Sequence, residues 1–318
     1  MKFFETHYEE YIHSKSVQNL HPKLNKVFSR FPPKLSLLKN VIFYGPSGVG
    51  KYTQMLDSIR KYSPSDLKYE KKISIVYNKQ PFFFKLSDIH YEVDISLLGC
   101  NSKLLWHEIY MQIVDIISAK MIKTGIIVCK NFGEVNSELL DNFYSYMQDD
   151  IAVVDIKYMF LTESVSFIPD NILNCCEVIH IPRPTKCALS KCIVGKQLPL
   201  KMEQITNIKN IHCGMIEMMQ PHRIICDKIM ADMISIDGLK FLQFRDTLYD
   251  IFIYNLDIGE CIWYILTTLT NKGHLTPTQL SSALIRTYSF FKLYNNNYRP
   301  IYHLEGFLFY LTKLMHHF

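Results

Sequence analysis

The sequence predicts an α/β domain built on a parallel sheet, followed by an all-helical C-terminal region. Between residues 40 and 60, a short apolar run, a glycine-rich loop and an amphipathic helix follow one another. Further buried-type strands alternate with amphipathic helices as far as residue 184, which is typical of a sheet with helices on both faces. From about residue 240, apolar residues recur at three- and four-residue steps, which indicates helices that pack together.

The composition suits a folded chain of two domains, or of three small ones. Hydrophobic residues make up 48% of the 318 residues and charged residues 20%, which allows a packed core and argues against global disorder. The net charge of +5 permits a nucleic-acid partner but does not require one. Nine cysteines without paired spacing fit free thiols in a reducing compartment.

Neither a membrane span nor a secretion signal is expected. The sequence contains no run of about 18 apolar residues, the length that a spanning helix needs. The N-terminal stretch MKFFETHYEEY has acidic residues where a signal peptide has its apolar core. We therefore expect an intracellular protein with no membrane partner.

In the α/β region, the predicted strands are either continuously apolar or alternate between apolar and polar residues. They cover residues 41–44, 72–78, 82–96, 124–132, 155–163 and 177–184. Apolar residues repeat at helical spacing directly after the glycine-rich loop, and again in residues 102–120 and 136–149. Because strands and helices alternate, we expect a parallel sheet covered on both faces.

The C-terminal region is predicted to contain helices only. Thr276 stands at a helix N-cap, with Pro277 at the first helical position and Gln279 three residues after the cap, which is the capping-box pattern. Two apolar stripes indicate packing in a bundle or against another subunit. They consist of Ile258, Ile262, Ile265, Leu266 and Leu269, and of Ile301, Leu304, Leu308, Leu311 and Met315.

The segment YGPSGVGKYT, residues 44–53, reads as a phosphate-binding loop. Gly45, Gly50 and Lys51 satisfy the G-x-x-x-x-G-K pattern, and the flanking strand and helix supply its structural context. Backbone N–H groups and a helix N-terminus attract phosphate there, and the lysine reaches the β- and γ-phosphates. We predict that ATP or ADP is bound by Gly45, Pro46, Ser47, Gly48, Val49, Gly50, Lys51, Tyr52 and Thr53.

Two positions that would hold Mg²⁺ depart from the pattern. Ser or Thr normally follows the lysine directly, whereas Tyr52 stands here and Thr53 lies about 100° further round the helix. A hydrolysing site also needs an acid after a second strand, where this chain has Lys130 and Asn131. A lysine beside Mg²⁺ is electrostatically unfavourable. The sequence therefore predicts nucleotide binding with no metal ligands and no catalytic residues.

Several segments resemble the AAA+ clamp loaders, specifically the small subunits of replication factor C. YGPSGVGKYT is similar to the loop GPSGxGKKT of one such subunit, which also lacks Ser or Thr directly after its lysine. The stretch IHYEVDISLLGCNSKLLWHEI resembles the insert of that subunit, and LLDNFYSYMQ resembles its A-L-R-R-T-M-E helix. IYHLEGFLFYL resembles its last collar helix. These segments occur in the expected order across nearly the whole chain.

The resemblance implies an architecture, partners and a location. It implies an AAA+ nucleotide-binding domain over residues 1–182, a small helical lid over 183–236 and a helical collar for oligomerisation over 237–318. Such subunits form hetero-pentamers with other clamp-loader subunits, and the complex places a sliding clamp on primer–template DNA in replication. The expected location is the nucleus or a viral replication compartment.

Three departures from the family pattern indicate a subunit that does not hydrolyse ATP efficiently. The acidic strand motif is replaced by Lys130 and Asn131. The first sensor, usually Asn, falls at Thr162 or Glu163. Cys175 stands where the family has an arginine finger, a group that can be worth several orders of magnitude in rate.

Two other functions remain open from the sequence. One is a stand-alone P-loop ATPase for DNA packaging or remodelling, which would need Glu134 or Glu163 as a compensating acid. The other is a scaffold subunit that keeps the fold and binds no nucleotide. ATP titration with and without Mg²⁺, and the partners that co-purify, distinguish these functions.

Lys103 and one group of thiols with an imidazole are further candidate sites. Lys103, near the start of a predicted helix, is the candidate for contact with DNA phosphates, and a solvated surface lysine is the alternative. A group of thiols and one imidazole lacks the C-x-x-C pairs of zinc sites, so buried thiols are the preferred interpretation. This group consists of Cys175, Cys176, His180, Cys187 and Cys192.

Overall fold

The computed structural model describes residues 6–77, 80–99, 101–148, 154–193, 207–208, 220–235, 240–254, 256–295 and 299–316. The chain divides into two compact units, Met1–His212 and Cys213–Phe318. The boundary between them falls within the predicted lid, residues 183–236, nearly half of which lies outside the described residues. The division into three domains therefore stays a prediction.

The first unit is built on a seven-stranded sheet in the order β2-β3-β4-β5-β6-β1-β7. Strands β4, β5, β6, β1 and β7 run parallel to one another. Strands β2 and β3 extend the sheet in antiparallel fashion. The strands are β1 (Asn40–Tyr44), β2 (Lys71–Tyr77), β3 (Gln80–Leu86), β4 (His90–Asp94), β5 (Thr124–Lys130), β6 (Asp155–Thr162) and β7 (Cys176–His180).

Helices cover both faces of this sheet. Successive residues of the inner strands face opposite sides, so Ile42 and Ile127 join one core, whereas Phe43 and Ile126 join the other. The α-helices of this unit are α1 (Tyr8–Val17), α2 (Asn25–Phe28), α3 (Lys51–Arg60), α4 (Ser102–Ser118), α5 (Ser137–Gln148), α6 (Asp170–Asn174) and α7 (Lys186–Ile193). Helices α4 and α5 contribute to the first core, and α1 and α3 to the second.

The single strand predicted over residues 82–96 is wrong, because the chain turns within it. The N–H of Ser87 donates to the carbonyl of His90 at 2.7 Å, and the N–H of His90 donates to the Ser87 hydroxyl at 3.0 Å. This turn separates β3 from β4, which run antiparallel. Apolar residues continue on both sides of the turn, and that is why the pattern resembled one strand.

The second unit consists of helices in its described part. They are α8 (Pro221–Ile234), α9 (Phe241–Ile253), α10 (Ile258–Asn271), α11 (Pro277–Asn295) and α12 (Pro300–His316). The predicted capping box is confirmed, because the N–H of Thr276 donates to Oε1 of Gln279 at 2.9 Å and the N–H of Gln279 donates to the Thr276 hydroxyl at 3.4 Å. Both predicted apolar stripes belong to the core of this unit.

The predicted fold class is confirmed for its α/β region with a mainly parallel sheet and for its helical C-terminal region. Within the part of the chain that the structure describes, no helix is long and apolar enough to span a bilayer.

Candidate functional site

The predicted phosphate loop joins β1 to α3, at the carboxyl end of the parallel strands. Gly45 must be glycine, because a Cβ at this position would lie 2.1 Å from the carbonyl oxygen of Ile181. Gly50 has a φ of +93°, a conformation that favours glycine, and it caps α3. The loop therefore keeps the backbone path that leads from a strand into a helix N-terminus.

Lys51 lies over this loop. Its ammonium group donates to the carbonyl oxygens of Gly45 at 2.6 Å and Pro46 at 2.8 Å. Lys51 is also the first residue of α3, so its charge adds to the positive end of the helix dipole. The two positive contributions together favour an anion at this helix N-terminus.

Neighbouring segments hold the loop in place. His21 is buried, and its Nε2 donates to the carbonyl of Val49 at 2.8 Å. Burial lowers the pKa of His21, and the charge of Lys15 lowers it further. The hydrogen bond to Val49 raises this pKa but does not outweigh the other two effects. On the loop itself, the carbonyl of Gly48 accepts a hydrogen bond from the N–H of Ile208 at 2.9 Å. The loop is therefore supported by the chain before it and by residues far after it.

The remaining residues of the predicted site occupy the rim and the first turn of α3. Ser47 is exposed, whereas Pro46, Tyr52 and Thr53 are half-buried. The hydroxyl of Tyr52 does not face an open position, because it donates to Oε1 of Glu92 at 2.6 Å. Tyr52 also packs edge-on against the ring of Tyr11, with ring centroids 4.9 Å apart.

Glu92 is a carboxylate inside the sheet, with 3% of its surface exposed. Besides Tyr52, it contacts Nε2 of His90 at 3.3 Å and the ammonium of Lys130 at 3.5 Å. Burial alone would raise the pKa of Glu92, but interactions with His90, Lys130 and Tyr52 hold this pKa below its ordinary value of 4.5. Burial and the Glu92 charge raise the pKa of Tyr52, which keeps its phenol protonated as a donor.

Lys130 ends β5, where the acidic motif was expected, and reaches back toward the phosphate loop. Its ammonium lies 5.3 Å from the centre of the Tyr52 ring, within the range of a cation–π contact. The two positions that depart from the metal-binding pattern are therefore in contact with each other and share Glu92. Asn131 has a φ of 52°, and its side-chain amide donates to Oδ1 of Asp94 at 2.9 Å.

Glu92 also completes an arrangement of Ser, His and a carboxylate. The hydroxyl of Ser87 lies 2.5 Å from Nδ1 of His90, whose Nε2 faces Glu92. Hydrolases use such an arrangement to activate a serine. Here Ser87 and His90 are both 0% exposed, so no substrate reaches the hydroxyl. The arrangement is a buried polar network that fixes the turn before β4.

The residues aligned with a sensor and an arginine finger have local partners. Thr162 is buried at the end of β6, and its hydroxyl donates to the carbonyl of Ser164 at 2.8 Å. Glu163 is exposed. Cys175 follows α6, and its sulfur accepts a contact from Nε2 of Gln148 at 3.8 Å. None of these three side chains supplies a positive charge.

Two exposed candidates lie near one shallow pocket. Glu134 lines this pocket together with Ile95, Gly99 and Ser102. Lys103, the candidate DNA contact, is exposed and follows Ser102 at the start of α4. Over the described ranges, no group of three or more His, Cys, Asp or Glu side chains could hold a metal ion.

Sequence reasoning missed Glu92 and His90. Both lie on β4, and the residues that alternate with them, Tyr91 and Val93, are fully buried on the opposite face. A strand covered on both faces is expected to be apolar on both. Two polar residues at alternate positions of such a strand were the available signal for a buried polar network.

Comparison with known proteins gives similarity only at the level of solved structures. No protein-family model matches the chain, and no curated protein matches it at a significant level. The chain is similar to the Thermotoga maritima RuvB Holliday junction branch migration motor, with 13% identity, a TM-score of 0.36 and coverage of 88% of this chain and 84% of that one.

A second similarity is to Caenorhabditis elegans PCH-2, with 11% identity, a TM-score of 0.34 and coverage of 58% of this chain. The match covers 45% of PCH-2, less than half of its length. RuvB and PCH-2 are both AAA+ ATPases. With TM-scores this low, the similarities carry no argument about this chain.

Proposed function

We propose that this chain is a nucleotide-binding subunit of AAA+ type that holds ATP or ADP without hydrolysing it efficiently. One observation carries the proposal. The phosphate loop keeps its glycines and its lysine, while both metal-holding positions, Tyr52 and Lys130, contact the buried carboxylate of Glu92. Such a site can attract phosphate through its backbone and Lys51, and it offers Mg²⁺ none of the expected ligands.

We further propose that the subunit acts in a clamp loader of the replication factor C type. The support is the resemblance of segments in order along the chain. Exposed apolar residues in the second unit add to it, because Leu242, Tyr249 and Ile253 recur along α9 and are 70%, 42% and 70% exposed. They stand seven and four residues apart, which places them on one helix face. A hetero-oligomer would bury this face.

The partners follow from the same proposal. They are the other clamp-loader subunits of a hetero-pentamer, and through that complex a sliding clamp and primer–template DNA. Lys103 is the candidate contact to the DNA backbone, and the nucleus or a viral replication compartment is the proposed location. In this assembly hydrolysis is carried out by neighbouring subunits, so the subunit contributes structure and bound nucleotide.

Affinity purification of the tagged chain, with identification of the bound chains, tests the proposal. We expect P-loop subunits that carry intact acidic motifs and arginine fingers. A matched variant with Leu242, Tyr249 and Ile253 changed to Ser should keep the fold and lose these partners. A monomeric chain that hydrolyses ATP alone would overturn the proposal in favour of a stand-alone ATPase. Partners bound by a chain with no affinity for nucleotide would instead indicate a scaffold.

A further inference from the structure

A second ammonium group lies beside the phosphate loop, where a hydrolysing site has an acid. The Lys130 ammonium is 3.5 Å from Oε2 of Glu92 and 5.3 Å from the centre of the Tyr52 ring. The Lys130 side chain is 32% exposed, whereas that of Glu92 is 2% exposed. A buried carboxylate therefore holds one side of this ammonium while another part of the side chain faces solvent.

Mg²⁺ does not fit the donors that surround this position. The ion demands near-octahedral oxygen ligands, and the side-chain oxygen at the position after Lys51 is the Tyr52 hydroxyl, which donates to Glu92. A lysine at the second metal-holding position repels a dication at close range. A lysine does, however, carry three N–H donors, and the contact with Glu92 uses one of them.

We propose that Lys130 supplies the positive charge that a metal ion supplies in hydrolysing P-loop sites. The ligand is then a metal-free nucleoside di- or triphosphate, held by the ammonium groups of Lys51 and Lys130 and by the N-terminus of α3. Glu92 and Tyr52 act as positioning residues that orient Lys130. This inference rests on the proposed nucleotide binding and adds to it the form of the ligand and the residue that selects it.

Two features of the chain agree with this role. Lys51 belongs to the loop and Lys130 to the end of β5, so two cations approach from different elements. A chain of two or three phosphates carries several anionic oxygens for the two cations, and charge-assisted hydrogen bonds to phosphate are among the strong ones. A nucleoside monophosphate reaches fewer donors and is expected to bind more weakly.

Equilibrium binding of ATP and ADP to the full chain, in excess EDTA and in excess MgCl₂, tests the inference. For the natural chain we expect dissociation constants that agree within about twofold between the two conditions. Lys130→Met, which keeps the length of the side chain, should weaken binding about tenfold in both, the loss of one charge-assisted contact. Lys130→Arg should restore most of the affinity.

Lys123→Met is the matched control, because Lys123 is exposed and directly precedes the first residue of β5. Lys130 stands at the other end of the same strand. Lys123→Met should bind as the natural chain does. Thermal unfolding of each variant shows that the fold is kept. Binding that MgCl₂ tightens tenfold or more, or that is unchanged in Lys130→Met, overturns the inference while leaving nucleotide binding intact. No binding in any condition overturns nucleotide binding as well.

Discussion

The hydroxyl of Tyr52 donates a hydrogen bond to the carboxylate of Glu92 at 2.6 Å, across the first turn of α3 and strand β4. This bond joins Tyr52, the residue that follows Lys51 of the phosphate loop, to the buried carboxylate of Glu92. In a hydrolysing site the same helix position faces the metal ion. Tyr52 therefore does more than replace a metal ligand, because its side chain belongs to a buried hydrogen-bond network.

Replacing Tyr52 by Phe should destabilise the first unit. The ring stays, but Glu92 loses a donor, and a hydrogen bond to a charged group contributes about 1.5–3 kcal/mol. We expect a loss of about 2 kcal/mol in the free energy of unfolding, measured by denaturant titration. Tyr69→Phe is the control, because Tyr69 is 45% exposed, and it should change stability by less than about 0.5 kcal/mol. Equal stabilities for the two variants would contradict the role of the Tyr52 hydroxyl.

Glu92 should make stability depend on acidic pH. Its pKa in the folded chain lies below 4.5, so its contribution is present at neutral pH and is lost as the pH falls through the folded value. Glu92→Gln should cost about 3 kcal/mol at pH 7, because it removes the partner of a buried charge network. The difference between the natural chain and this variant should shrink below pH 4.5.

The exposed Glu138 provides the control for this experiment. Glu138→Gln should show a small difference from the natural chain at every pH between 3 and 7, because a surface carboxylate contributes little. If the Glu92→Gln difference stays constant over this pH range, the carboxylate does not contribute its charge to stability.

Gly45 and Gly99 should respond differently to substitution by Ala. A Cβ at Gly45 would meet the Ile181 carbonyl at 2.1 Å, whereas at Gly99 it would meet nothing within 4 Å. Gly99 has a φ of +64°, so Gly99→Ala should cost about 1 kcal/mol of backbone strain. Gly45→Ala should lower the free energy of unfolding by clearly more, because the backbone at Gly45 and at Ile181 must move apart to make room for the Cβ. Chemical denaturation of both variants measures the difference, and similar losses would argue against this close approach.

Lys103→Ala should weaken binding of the assembled complex to primer–template DNA. If the exposed ammonium contacts a phosphate, the slope of log affinity against log salt concentration should fall by about one. Lys123→Ala is the control and should leave both the affinity and the slope unchanged. An unchanged slope for Lys103→Ala would indicate that this lysine is a solvated surface residue that does not contact a DNA phosphate.

The order of strands and helices in the first unit could be predicted because its patterns are local. Apolar runs bounded by polar residues gave β1, β5 and β6, and the capping residues at Thr276 gave the start of α11. The break between β3 and β4 could not be predicted, since it depends on hydrogen bonds between Ser87 and His90 that no apolar pattern encodes. Local periodicity describes elements and gives no information on such turns.

In the candidate site, too, the local part could be predicted from the sequence and the long-range contacts could not. The loop residues are contiguous, so a motif with its flanking strand and helix was sufficient to find them. Glu92 is 40 residues from Tyr52 and 38 from Lys130, and only the sheet order brings the three together. Tyr52 and Lys130 were identified as two separate departures from a motif. Their contact is seen only in the folded structure.

Binding radiolabelled ATP to the full chain, and then identifying the nucleotide that is retained, shows whether the site holds ATP without hydrolysing it. We expect the natural chain to retain ATP, the ATP to stay uncleaved over hours, and Lys51→Ala to retain none. Release of ADP at a rate that Mg²⁺ stimulates and Lys51→Ala abolishes would contradict the proposed nucleotide binding without hydrolysis. So would a natural chain that retains no more nucleotide than Lys51→Ala.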